Sequence, residues 1–168
     1  MGEYVMSFMG IITNPKNENY IKKFLKKYIN IEYVIFINEK NIENMRNIKF
    51  DTILLGRKFE ENEILNEIIR KCKYLILNSD LKVYDNKLDN LNIQIITYGF
   101  NQKATITTSS VEEDKIVVFL QRSIVNMYKQ YVEQMEISID IDKNTETYAV
   151  MESIAILLIY CKHIKNVY

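Results

Sequence analysis

Tyr74-Leu-Ile-Leu-Asn-Ser-Asp80 and, after a polar interval, Ile93-Gln-Ile-Ile-Thr-Tyr-Gly99 are the stretches on which the fold turns. Each is a short run rich in apolar residues that ends on turn-forming ones, Asn-Ser-Asp in the first and Gly in the second. Tyr74–Leu77 reads as a buried strand, and Tyr4–Thr13 as a strand without clean alternation, covered on both faces as in the parallel sheet of an α/β protein. Upstream, Glu60–Lys71 places Ile64, Leu65, Ile68 and Ile69 on one helical face. Before it come a strand at Thr52–Leu55 closed by Gly56, a short helix at Asn41–Asn47 and a strand at Tyr33–Ile37. Asn19–Ile29 has helical spacing of Tyr20, Ile21, Phe24, Leu25, Tyr28 and Ile29. Tyr4–Thr13 is a nearly continuous apolar run that Asn14-Pro15 ends. Strands alternating with helices imply right-handed crossovers and a mostly parallel sheet.

Downstream the pattern changes. Ala104–Ser110, Ile116–Arg122 and Met135–Ile141 read as strands with no long helix between them. The alternation in ATITT and EISIDI marks antiparallel strands with one wet face. Glu146–Ile164 closes the pattern as a long helix, with Tyr148, Met151, Ile154, Ala155, Leu158, Ile159 and Cys161 largely on one side. The expected fold is therefore α/β. A mostly parallel sheet is flanked by helices in three layers, P-loop or Rossmann-like, with an antiparallel extension and a C-terminal helix. No linker divides residues 1–168, so a single domain is expected, with 1–100 the parallel part and 101–168 the antiparallel strands and final helix.

Composition narrows the function. The chain has 168 residues, 48% of them apolar and 26% charged, which is globular rather than disordered. Lys plus Arg and Asp plus Glu both total 22, so the net charge is zero and bulk-charge binding of nucleic acid or anionic membrane is not expected. No apolar run reaches the roughly 18–20 residues that span a bilayer. Glu3 stands where a secretory signal would carry a base, and the two cysteines, Cys72 and Cys161, make no disulfide framework, so a reducing cytoplasm is the expected location. Ile, Asn and Lys are abundant throughout, which makes helical segments look strand-like and scatters false turn signals.

Three segments together resemble the central, ATP-binding domain of the Mur ligase family, which joins amino acids to the peptidoglycan precursor through acyl-phosphate chemistry. Tyr74–Asp80 looks like that family's strand ending in Asn-x-Asp. Ile95-Ile-Thr-Tyr-Gly-Phe100, followed by Lys103-Ala-Thr-Ile-Thr107, looks like its ITYG strand and the strand after it. Ile137–Ile164 looks like the closing strand and helix. The resemblance implies adenine and ribose contacts near Asn78 and Asp80, and lays Lys16 over the phosphate-loop lysine. Yet Gly10-Ile-Ile-Thr-Asn-Pro-Lys-Asn17 lacks the glycines that let backbone N–H groups approach phosphate, and Pro15 removes one donor. The family's Gly-x-His-Asn is replaced around Lys143, Thr145 and Glu146, and its metal-binding Glu and carbamylated Lys have no counterpart. The Asn14–Asn17 segment is expected to be a tight turn that caps the helix, with Lys16 pointing to solvent.

Other candidates read as structural. Lys22, Lys23, Lys26 and Lys27 are a solvated helix face before they are an anion site. His163 suits the negative end of a helix, Cys72 a helix-end core, and the hydroxyls of Thr105–Ser110 a wet strand face. The function expected is a non-catalytic Mur-ligase-like domain that binds a protein partner or small ligand, linked to cell-wall precursor metabolism. It is expected to use no metal and no cofactor. The alternative is a minimal nucleotide-binding enzyme or ligase-related subunit that takes ATP and Mg²⁺ at the Asn78/Asp80 edge. A third reading is a structural subunit of a larger assembly, with a homo-oligomer or an unknown protein as partner.

Overall fold

A computed structural model of the chain describes residues 7–82 and 92–162. The start of the first expected strand, His163 and the tail of the last expected helix lie outside the described residues. The elements in chain order are β1 (Phe8–Ile12), α1 (Pro15–Leu25), β2 (Val34–Phe36), β3 (Phe50–Leu55), α2 (Glu63–Lys71), β4 (Tyr74–Asn78) and β5 (Gln94–Tyr98). They continue with β6 (Ile106–Val111), β7 (Lys115–Leu120), β8 (Ile124–Val125), β9 (Tyr131–Val132), β10 (Met135–Asp140) and α3 (Thr147–Tyr160). One-turn 3-10 helices at Ile31–Tyr33 and Ile42–Met45 join the early strands.

Eight strands form one sheet in the order β10-β7-β6-β5-β4-β3-β1-β2. From β2 to β6 every neighbouring pair is parallel; β7 and β10 then pair antiparallel, so the antiparallel strands extend the sheet. The pleat sends alternate side chains to two cores. On β4, Tyr74 and Ile76 face the α1/α3 side, while Leu75 and Leu77 face α2. Three layers result, as the sequence pattern implies.

Local chemistry sets the helix ends. Asn62 caps α2, its side-chain oxygen accepting from the N–H groups of Ile64 at 2.9 Å and Leu65 at 3.1 Å. The first helix corrects the sequence reading: it starts at Pro15, not Asn19, and ends at Leu25, not Ile29. Pro15 occupies the first helical position, where its missing N–H has no intrahelical partner to lose and its fixed φ fits. The two-stranded hairpin β8–β9 is also new; its strands are too short to leave a periodic signal.

The last helix departs furthest from expectation. Residues 149–159 are all buried, so α3 has no solvated face. Val150, Ile156 and Leu157 lie off the expected stripe and make the helix apolar all round, the pattern of a fully buried one. It packs against β5, β6, β7 and α1. Among its residues Glu152 alone carries a charge, at 0% exposure. None of the described helices is long and apolar enough to cross a membrane.

Candidate functional site

Open α/β sheets bind ligands outside the carboxyl ends of their strands, where consecutive crossovers diverge. Here that point lies between β1, whose crossover α1 leads to β2, and β3, whose crossover α2 leads the other way to β4. Only Thr13 and Asn14 separate β1 from α1. A phosphate loop needs a longer arc of backbone N–H groups curved around the anion, and a two-residue connection provides none. Lys16 does not simply point to solvent. Although 63% exposed, its Nζ lies 2.7 Å from Oε1 of Glu146, the residue that precedes α3.

Asn78 ends β4 and Asp80 follows it, at the same sheet edge. Asn78 Oδ1 accepts from the Asp80 N–H at 3.0 Å, the self-capping turn that asparagine favours. The Asp80 carboxylate then ties three segments together. It accepts from the Phe100 N–H at 2.8 Å, the Asn101 side-chain amide at 2.9 Å and the Tyr148 hydroxyl at 2.9 Å. Burial alone would raise its pKa, but these donors outweigh burial and hold the carboxyl below its ordinary range. Tyr148 is pushed up to about 12, first by burial and then by Asp80. Gly99, at φ 155°, is required here, because a Cβ would lie 2.7 Å from an Asp80 oxygen. Lys16 and Asp80 thus reach neighbouring residues at the start of α3, yet they engage separate partners.

Sequence reading missed the group at the centre of this edge. Glu152 projects from α3 beneath the ends of β1, β3 and β5. Its Oε1 accepts from the Tyr98 hydroxyl at 2.6 Å and its Oε2 from Thr13 Oγ1 at 2.7 Å. The Asn17 amide nitrogen, one turn into α1, lies 3.5 Å from the same Oε2, while Asn17 Oδ1 is buried without a hydrogen-bond partner among the described residues. Gly56, just after β3, leaves room for this group: a Cβ there would collide with Glu152 Oε1 and sit 2.9 Å from the Tyr98 hydroxyl oxygen. Burial raises the Glu152 pKa, and the hydrogen bonds from Tyr98, Thr13 and Asn17 offset only part of that rise. Burial and the adjacent Glu152 push the Tyr98 hydroxyl well above its ordinary value. The signal was present in the sequence as one carboxyl side chain in an otherwise apolar helix, because such a group is buried only where donors meet it.

Arg57 borders this edge on the outside. Its guanidinium grips Glu39 with two bonds of 2.6 and 2.8 Å, and its Nε donates to the Thr13 carbonyl at 3.1 Å. The Arg57 hydrogen bonds bring Glu39 down to about 2. Among the described residues no cluster of three or more His, Cys, Asp or Glu side chains is arranged to hold a metal ion. What this edge can do chemically is hold itself together: each carboxyl group is met by donors from the chain. No family model matches this chain, and no curated protein matches it at a significant level.

Proposed function

We propose that this chain is a non-catalytic binding domain on the plan of the Mur ligase central domain, taking a protein partner or small ligand without turning it over. The observation that carries this reading is the Glu152 carboxyl group, which fills the place at the diverging crossovers where such sheets receive an anionic ligand. Catalysis of phosphoryl transfer depends on positioning and charge neutralisation. Here Thr13 and Tyr98 spend their donors on Glu152, and Lys16 spends its charge on Glu146. The Mur likeness is supported by the order of Asn78-Ser-Asp80, Ile96-Thr-Tyr-Gly99 and the long closing helix, and the cell-wall setting follows from that likeness. The two free cysteines favour a reducing cytoplasm.

Titration calorimetry with ATP, ADP and a UDP-sugar, each with and without Mg²⁺, tests the reading. The expected outcome is no heat of binding for any of them. Micromolar ATP binding that is lost in Lys16→Ala would instead sink this reading and promote the nucleotide-binding alternative.

A further inference from the structure

A groove of about 390 Å³ runs between α1 and β10. On the helix side it is lined by Tyr20, Lys23 and Phe24 of α1 and by Lys27 and Tyr28 in the turn that follows the helix. On the strand side it touches three consecutive residues of β10, Ser138, Ile139 and Asp140, and the two that follow the strand, Ile141 and Asp142. A strand shows consecutive residues to one cavity only along its main-chain edge, because its side chains alternate between faces. The groove therefore follows the edge of β10, which is the border strand of the sheet.

Register shows which main-chain groups that edge offers. Ile141 donates its N–H to the Asp114 carbonyl at 2.8 Å, and the pairing continues through Ile139 with Ile116 and Ile137 with Val118. In an antiparallel ladder the groups that bond to the neighbour belong to every second residue. The odd-numbered residues of β10 thus bond to β7, while the N–H and C=O of Ser138 and Asp140 face outward. The side chains of Ser138 and Asp140 are exposed, whereas Ile137 and Ile139 point into the α1/α3 core.

Resting on the reading of this chain as a binding domain, we propose that the groove takes an extended polypeptide segment as an added strand beside β10. The segment would carry apolar residues facing α1 and basic residues on the opposite face. Main-chain bonds to Ser138 and Asp140 supply the affinity, and alternate side chains supply the selection. Residues facing α1 enter the aromatic wall of Tyr20, Phe24 and Tyr28, where Lys23 and Lys27 disfavour further cations. Residues on the other face lie beside the exposed Asp140 of β10, where cations are matched. A second copy of β10 fits poorly. Pairing it with itself about Ser138 sets Glu136 of each strand opposite Asp140 of the other, the like-charge arrangement that guards natural edges.

The test uses fluorescently labelled Lys-Val-Lys-Val-Lys-Val-Lys, with the Glu-Val alternate and polylysine of equal length as controls, read by anisotropy and by amide chemical shifts. Expected are saturable binding of the Lys-Val peptide alone and shifts confined to β10 and α1. Ser138→Pro should weaken binding at least tenfold and Asp140→Lys several-fold. The 138 N–H faces away from β7, so this proline removes no ladder bond. A Lys-Val peptide N-methylated on the residues that face β10 repeats the test on unaltered protein and should also fail to bind. Equal binding of polylysine, shifts elsewhere, or indifference to both the proline and the N-methyl groups would overturn the proposal. So would concentration-dependent dimerisation that Ser138→Pro abolishes, which would make the occupant a second copy. Nucleotide calorimetry separates the two ideas: no peptide binding and no ATP binding removes only the groove, whereas micromolar ATP binding that is lost in Lys16→Ala removes the parent reading.

Discussion

At the carboxyl edge of the parallel strands, Thr13, Tyr98 and Glu152 bond to one another, and Asp80 takes donors from Phe100, Asn101 and Tyr148. Along β10 the main-chain groups of Ser138 and Asp140 face outward beside a groove. Both borders belong to one sheet, yet at the first the carboxyl groups are met by donors from the chain itself, and at the second the outward main-chain groups have no partner among the described residues. The difference follows from burial. Strands β1, β3 and β4 are covered on both sides, so a polar group at their ends is costly unless it is paired. A border strand with a wet face can leave its polar groups to water or to another chain. The comparison teaches that a conventional location for a ligand site within a fold is no guide to where this molecule remains open.

The largest effect should come from inserting the same residue into the two regions. Ile76→Pro breaks the centre of the parallel ladder between β3 and β5 and should cost about 3 kcal/mol or more, enough to abolish a cooperative urea transition. Ser138→Pro, at the bare edge, should cost about 1 kcal/mol or less. Equal losses would mean that the outer edge of β10 is not free. Next, Glu152→Ala strands the Tyr98 and Thr13 hydroxyls and leaves a cavity, for a loss of about 3 kcal/mol in urea unfolding. Glu152→Gln retains an acceptor and should cost about 1 kcal/mol at most. A harmless alanine would show that this edge is looser than its hydrogen bonds indicate.

Some of this was legible in the sequence. The succession of element types, an antiparallel group in the second half and the three layers followed from periodicity and from unbroken apolar runs, although antiparallel pairing begins only at β7, since β6 is still parallel to β5. The start of α1 did not, because Asn14-Pro15 reads equally well as a turn and as a helix entry. The lone carboxyl of α3 was visible in the sequence, but the site around Glu152 stayed hidden for a different reason. Its donors come from residues 13, 17 and 98, and no local pattern links positions so far apart. The resemblance directed attention to Lys16, Asn78 and Asp80, which lie on the right edge but around a centre supplied by α3.

The pH dependence of stability should have opposite signs for the two buried-edge acids. The Glu152 pKa is raised from 4.5, so the folded state favours its protonated form. Its contribution is complete below 4.5 and is lost as pH rises through the raised value. The Asp80 pKa is lowered from 3.8, so its contribution is complete above 3.8 and is lost as pH falls through the lowered value. Stability measured against pH for Glu152→Gln should therefore lose the decline above 4.5, and that for Asp80→Asn the decline below 3.8. The smallest effect is expected from Lys16→Ala. Its ion pair with Glu146 is exposed on both sides, so the change should be a few tenths of a kcal/mol, about 0.5 at most, and should vanish in high salt. A larger, salt-resistant loss would extend the saturated edge out to the surface.

The all-round burial of α3 also sets an order of events during synthesis. The strands that surround this helix, β5, β6 and β7, all leave the ribosome before it does. Until Tyr160 has been made, their inward side chains, among them Ile96, Ile106, Ile116 and Val118, have no helix to cover them. The nascent chain is therefore a sticky, incomplete sheet for most of its translation, the kind of intermediate that chaperones hold and that aggregates when release is early. A translational pause or premature stop before α3 would leave a species with its larger core open, whereas the smaller α2 core has all its fully buried residues once Leu77 has emerged.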